Sequence, residues 1–112
     1  MTLAEIVERL GLCVLTSKKI RDTDVTGGYT CDLLSDVIAN SKVGNLWITV
    51  QIHENVLAVA KLKDLAGIVL VNGRRPDESV TRKADEENVA ILGTDESAFE
   101  ISGRLYRLIN KM

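Results

Sequence analysis

Gly67-Ile68-Val69-Leu70-Val71-Asn72-Gly73-Arg74-Arg75-Pro76-Asp77 is the stretch whose reading decides the fold. Gly67 to Val71 is apolar at consecutive positions, so both faces of an extended segment are apolar, as a strand covered on both sides of a sheet requires. Asn72-Gly73-Arg74-Arg75 interrupts that run, and Pro76 stands near a helix's first turn, where a missing N–H costs nothing. The largely polar segment from Asp77 to Asn88 predicts a helix, and Val89-Ala90-Ile91-Leu92 a further buried strand. A strand, a helix and a second strand of these lengths make a βαβ unit, whose strands run parallel.

The same alternation extends in both directions. Leu46-Trp47-Ile48-Thr49-Val50 reads as a strand, and Glu54 to about Lys63 as a helix that buries Val56, Leu57, Val59 and Ala60. After Gly93-Thr94-Asp95, a last helix to about Lys111 carries Ala98, Ile101, Leu105, Leu108 and Met112 at helical spacing. Toward the N-terminus, Leu3 to Leu10 is a short helix with a Thr2/Glu5 capping box and a stop at Gly11. Leu12 to Thr16 is an apolar run that predicts a buried parallel strand. Polar Ser17 to Thr26 leads into Gly27-Gly28, read as a turn, and a helix from about Thr30 to Asn40 turns Leu33, Leu34, Val37 and Ile38 inward. The expected architecture is a single α/β domain over residues 1–112, with about four mostly parallel strands flanked by helices.

Composition narrows the function. The chain has 112 residues, 46% apolar and 27% charged, an ordinary balance for one globular core. Lys and Arg number 14 against 16 Asp and Glu, a net charge of −2, with no dense basic run, so nucleic acid is not the expected partner. No apolar stretch approaches the roughly 20 residues that cross a bilayer, and no export signal is visible; a cytoplasmic location and free thiols at Cys13 and Cys31 are expected.

Asp24-Val25-Thr26-Gly27-Gly28 resembles the signature of the DRTGG domain family, with Val25 in place of its arginine. Asn72-Gly73-Arg74-Arg75-Pro76 and Asn88-Val89-Ala90-Ile91-Leu92-Gly93-Thr94 are similar to later elements of that family, with Ala90 where proline is common. The resemblance covers roughly Leu12 to Ile109 and extends to the N-terminal domain of HPr kinase/phosphorylase. It implies a bacterial regulatory or assembly module, often a homodimer or other homo-oligomer, with a signalling or redox-enzyme partner. Val25 removes the one basic side chain that a phosphate-binding signature would use.

In a parallel α/β sheet ligands bind beyond the carboxyl ends of the strands, where helix N-termini present unpaired N–H groups. The loops expected there are Thr26 to Thr30, Gln51 to Glu54, Asn72 to Asp77 and Gly93 to Asp95. Thr26, Gly27, Gly28, Thr30, Gly73, Arg74, Arg75 and Thr94 are the candidate residues for a small anionic ligand, a nucleotide among the possibilities. Each has a plainer reading: the glycines as a turn, the arginines as solvated surface. The glycine-rich phosphate loops GxxxxGK[ST] and GxGxxG are absent. His53, the single histidine, follows a strand without a visible nucleophile or orienting partner. Cys31 reads as a small buried thiol near a helix start, Cys13 as core, and Asp95 and Glu96 as first-turn acids that complement the helix dipole. No metal-ligand spacing and no catalytic constellation is present, and no cofactor is named by the residues. The expected function is a non-catalytic module that binds an anionic ligand or a protein partner. The alternatives are a scaffold subunit of a larger complex and a small phosphoryl- or acyl-transfer enzyme.

Overall fold

The computed structural model describes residues 1–16, 20 and 22–112. Along the chain run α1 (Leu3–Leu10), β1 (Cys13–Val14), β2 (Gly27–Thr30), α2 (Leu34–Asn40), β3 (Asn45–Thr49), α3 (Asn55–Leu62), β4 (Gly67–Leu70), α4 (Glu78–Glu87), β5 (Ile91–Gly93) and α5 (Ala98–Ile109). The strands form one five-stranded sheet in the order β1-β5-β4-β3-β2. The β2–β3, β3–β4 and β4–β5 pairs are parallel, and β1 alone runs antiparallel, against β5.

The period of two sorts each strand's side chains between two cores. Leu46, Ile48, Val69, Val71 and Leu92 face Leu3, Ile6, Leu10, Ile101 and Leu105 of α1 and α5. Trp47, Ile68, Leu70 and Ile91 face Val37, Val56, Leu57, Ala60, Val80 and Ala84 of α2, α3 and α4. β3, buried at every position, and β4 are therefore the covered strands that their unbroken apolar runs imply. The three crossover helices α2, α3 and α4 all lie on one face, and α1 and α5 cover the other. No helix among the described residues is long and apolar enough to cross a membrane.

Local signals set the helix ends. Thr2 and Glu5 form both halves of the capping box, and Gly11 closes α1 in the left-handed conformation at φ 67°. Ser97 caps α5 by accepting from Glu100 N–H, while Asn88 ends α4 at φ 60°.

Several expectations are corrected. The apolar run Leu12 to Thr16 gives only the two-residue antiparallel β1, paired Cys13 to Gly93 and Val14 to Leu92, with both residues exposed. β1 is an edge strand, and an antiparallel edge pair requires no crossover helix to cover it. Cys13 is thus an exposed free thiol and not core, and Cys31 is half-buried.

Gly27-Gly28 is not a turn: it opens β2, in register with Asn45 and Leu46, and neither glycine has a positive φ. Consequently α2 starts at Leu34 and buries Val37 alone, leaving Leu33 63% and Ile38 39% exposed. At the far end α5 stops at Ile109, and Met112 is exposed rather than inward. The expected polar connection Ser17 to Thr26 lies partly outside the described residues.

Candidate functional site

Where consecutive strand-to-helix loops leave a parallel sheet toward opposite faces, the loops part and leave a crevice at the carboxyl ends. In this fold that divergence falls between β4 and β5. The loop after β4 leads to α4 on one face, whereas the loop after β5 leads to α5 on the other. Gly73, Arg74, Arg75 and Thr94 of the candidate set stand at this divergence.

Backbone bonds tie the two loops together at its base. Thr94 N–H donates to Leu70 O at 3.0 Å, Gly73 N–H to Thr94 O at 2.9 Å and Asn72 N–H to Glu96 O at 2.9 Å. Asn72 and Gly73 adopt φ of 57° and 69°, the left-handed region that asparagine and glycine tolerate best. The Thr94 hydroxyl accepts from Glu96 N–H at 3.2 Å, and Glu96 pairs with Arg104. Glu96 thus holds an ion pair, and because α5 begins at Ala98 behind its cap Ser97, Asp95 and Glu96 precede the helix and are not its first-turn acids, a place that Glu100 takes.

Arg75 lies across the surface of Gly93: a Cβ there would stand 2.7 Å from Arg75 Nη1. The same Nη1 donates to Arg74 O at 2.9 Å. Both arginines are exposed, and neither has an ion-pair partner among the described residues. Asp77, the cap position of α4, makes no side-chain cap bond.

The other half of the candidate set lies elsewhere. Thr26, Gly27, Gly28 and Thr30 belong to or adjoin β2, not to a carboxyl-end loop, and β2 is separated from β4 by the whole of β3. At about 4.8 Å per strand, that puts the two groups roughly 10 Å or more apart. The β2 residues line a cavity of about 370 Å³ whose far wall is α5, with Ser102, Tyr106 and Asn110. Thr30 Oγ1 lies 2.7 Å from Ser102 Oγ, and Thr26 Oγ1 donates to Val43 O at 2.7 Å. The lining also includes Ile48, Leu105 and Ile109, so it mixes hydroxyl and amide groups with apolar side chains and carries no cation, and its chemistry differs from that of the arginine loop.

The carboxyl ends of β2 and β3 are closed by a residue the sequence reading passed over. Asp32 Oδ1 accepts from Thr49 Oγ1 at 2.8 Å and from Val50 N–H at 3.0 Å, and Gln51 Nε2 donates to Asp32 O at 2.9 Å. The sequence reading places it in the first turn of a helix from about Thr30, where an acid needs no further role. Ser102, Tyr106 and Asn110 gave no signal, because they sit on the outward face of α5, far along the chain from β2.

His53 Nδ1 accepts from Asn55 N–H at 3.1 Å and serves the start of α3. Among the described residues no group of three or more His, Cys, Asp or Glu could hold a metal ion. The Tyr29 hydroxyl donates to Asp36 at 2.5 Å, and this bond holds the Asp36 carboxyl below its ordinary range and pushes the Tyr29 hydroxyl above its own. The fold also gathers cations that are scattered in the sequence: Arg9, Arg104, Arg107 and Lys111 line an open groove beside the ends of α1 and α5. Arg9 and Arg107 stand in last helical turns, where the helix dipole accounts for them.

The solved CBS and DRTGG domains of the regulatory region of Clostridium perfringens pyrophosphatase, complexed with the activator diadenosine tetraphosphate, superpose with a TM-score of 0.73 at 14% identity. The match covers 93% of this chain and 45% of that one, so the chain spans about half of the structure it resembles. No curated protein matches the sequence. The family model described as the DRTGG domain matches residues 5–108, nearly the full length, and the chain belongs to the DRTGG domain family.

Proposed function

We propose that this domain is a non-catalytic regulatory or assembly module that binds a small anionic ligand, a nucleotide being the first candidate, and works as a homodimer. The observation that carries the reading is the divergence of the β4 and β5 loops, where Arg74 and Arg75 are exposed without ion-pair partners among the described residues and the Arg75 guanidinium lies over Gly93. Guanidinium groups match phosphate oxygens in charge and bidentate geometry. The similar pyrophosphatase region is described as regulatory and in complex with a dinucleotide activator, which supports the same class of ligand.

A thermal-shift screen against nucleotides, phosphorylated metabolites and inorganic phosphate tests this, because a ligand that prefers the native state raises the midpoint. The expected result is a saturable rise that Arg74→Ala and Arg75→Ala abolish. No rise with any compound would replace the ligand reading with the scaffold one. Turnover of a nucleotide by the purified chain would instead favour the phosphoryl-transfer alternative.

A further inference from the structure

The cavity of about 370 Å³ between β2 and α5 offers recognition groups of a different kind from those of the arginine loop. Some of them are backbone groups. Asn45 and Thr49 of β3 turn their carbonyls toward β4, accepting from Ala66 N–H at 2.8 Å and Val71 N–H at 3.2 Å. Carbonyls alternate sides along a strand, so those of Leu46 and Ile48 face β2, and Ile48 O accepts from Cys31 N–H at 3.1 Å. Tyr29 and Cys31 therefore bond β3, while Gly28 and Thr30, which line the cavity, direct their N–H and C=O groups away from it. Gly28 O and Thr30 N–H are thus an acceptor and a donor side by side at the cavity.

The side chains around them are apolar or neutral. Ile48, Leu105 and Ile109 supply apolar surface, and Tyr106, 62% exposed, supplies an aromatic ring. The Thr30 and Ser102 hydroxyls lie 2.7 Å apart and share one hydrogen bond, which leaves one of the two protons to donate elsewhere. Asn110 Nδ2 donates to Tyr106 O at 2.8 Å, and its Oδ1 remains as an acceptor. No charged side chain lines the cavity, so a phosphate or carboxylate entering it would leave water without meeting a counter-charge. Small-molecule sites combine an apolar lining with a few placed polar groups, and this cavity has that make-up. Its complement is an uncharged, flat ligand that carries a donor and an acceptor on one edge, which is the chemistry of a nucleobase.

We propose that the cavity between β2 and α5 binds an uncharged nucleobase or nucleoside, its base edge on Gly28 O and Thr30 N–H and its ring against Tyr106. The hydroxyls of Thr30 and Ser102 and Asn110 Oδ1 are left for the sugar. This site is separate from the anion site at Arg74 and Arg75 and does not depend on it.

Amide NMR titration of the intact chain with adenosine, guanosine, cytidine and uridine, and with inorganic phosphate in parallel, tests the proposal. The expected result is that at least one nucleoside shifts the Gly28 and Thr30 amides saturably and phosphate does not. Tyr106→Ala should weaken that binding by at least about fivefold, the loss of one stacked ring, whereas Tyr106→Phe, which keeps the ring, should retain it. If no nucleoside moves the Gly28 and Thr30 amides, or if the shifts are confined to the β4 and β5 loops, the base site is overturned. The anion reading is untouched by that result, because it is judged on phosphate compounds and the arginine variants. Binding that Tyr106→Ala leaves at full strength would overturn the site as well.

Discussion

Gly28 meets a constraint that its neighbours do not. A Cβ at this position would lie 2.8 Å from Leu105 Cδ2, and Leu105 is only 3% exposed, so its side chain must leave its packed position to admit the methyl. Gly28→Ala restricts the unfolded chain, which is worth about 0.4–1 kcal/mol in favour of the fold. Overpacking a buried contact costs about 1–3 kcal/mol, so the net effect is destabilising. A chemical denaturation midpoint lower than that of the parent is expected, and an unchanged or higher midpoint would show that α5 is free to move off β2. The Tyr29–Asp36 bond makes a second prediction at this scale. Asp36 titrates below its usual 3.8, so its share of stability is present above that value and lost as pH falls through the lower, folded one. Tyr29 titrates above its usual 10.0, so its share is present below that pH and lost as pH rises through the higher, folded value. The stability gap between parent and Tyr29→Phe should be constant from about pH 5 to 9 and should narrow at both extremes. A gap that is flat across the whole range would mean that the hydroxyl does nothing for the fold.

The elements that packing alone decides were legible in the sequence; those that a neighbour decides were not. β3, β4 and α3 followed from apolar runs and helical spacing because they are covered on the sides their patterns predict, and α4 followed from Pro76 ahead of a polar segment. β2 was invisible because Gly27 and Gly28 are poor strand formers and are kept extended by pairing with β3 and by the close approach of Leu105 to Gly28. β1 was misread because an edge position leaves Cys13 and Val14 uncovered, although their apolar character suits a core. The candidate site divided on the same ground. Gly73, Arg74, Arg75 and Thr94 kept their expected place because the strands before them were correctly read. Thr26 to Thr30 moved because a strand had been taken for a loop. The arginine loop yields a prediction of its own kind. Gly93→Ala places a methyl 2.7 Å from Arg75 Nη1, and an exposed guanidinium can move aside at little cost in stability. The midpoint should therefore change by less than about 1 kcal/mol, while the ligand-induced thermal shift falls as it does for Arg75→Ala. A retained shift would place the anion away from Gly93.

At the scale of the molecule, the two proposed sites sit on different parts of one sheet. The anion site caps the carboxyl ends of β4 and β5, and the base cavity lies between the outer strand β2 and α5, with β3 between the two sites. β3 is buried at every residue, and its loop is laced to that of β2 through Asp32, so a rigid strand joins the two sites. A rigid body transmits no change unless it has a second arrangement, and the close packing of both cores offers none. The two linkages should therefore be separable. Each ligand stabilises the native chain by mass action, so a nucleoside and inorganic phosphate should raise the thermal midpoint by independent increments. Arg74→Ala should lose the phosphate increment and keep the nucleoside one, whereas Tyr106→Ala should do the reverse. If, with both ligands present, the double variant loses no more than either single one, the sites are coupled, and β3 must then be the element that switches between two arrangements.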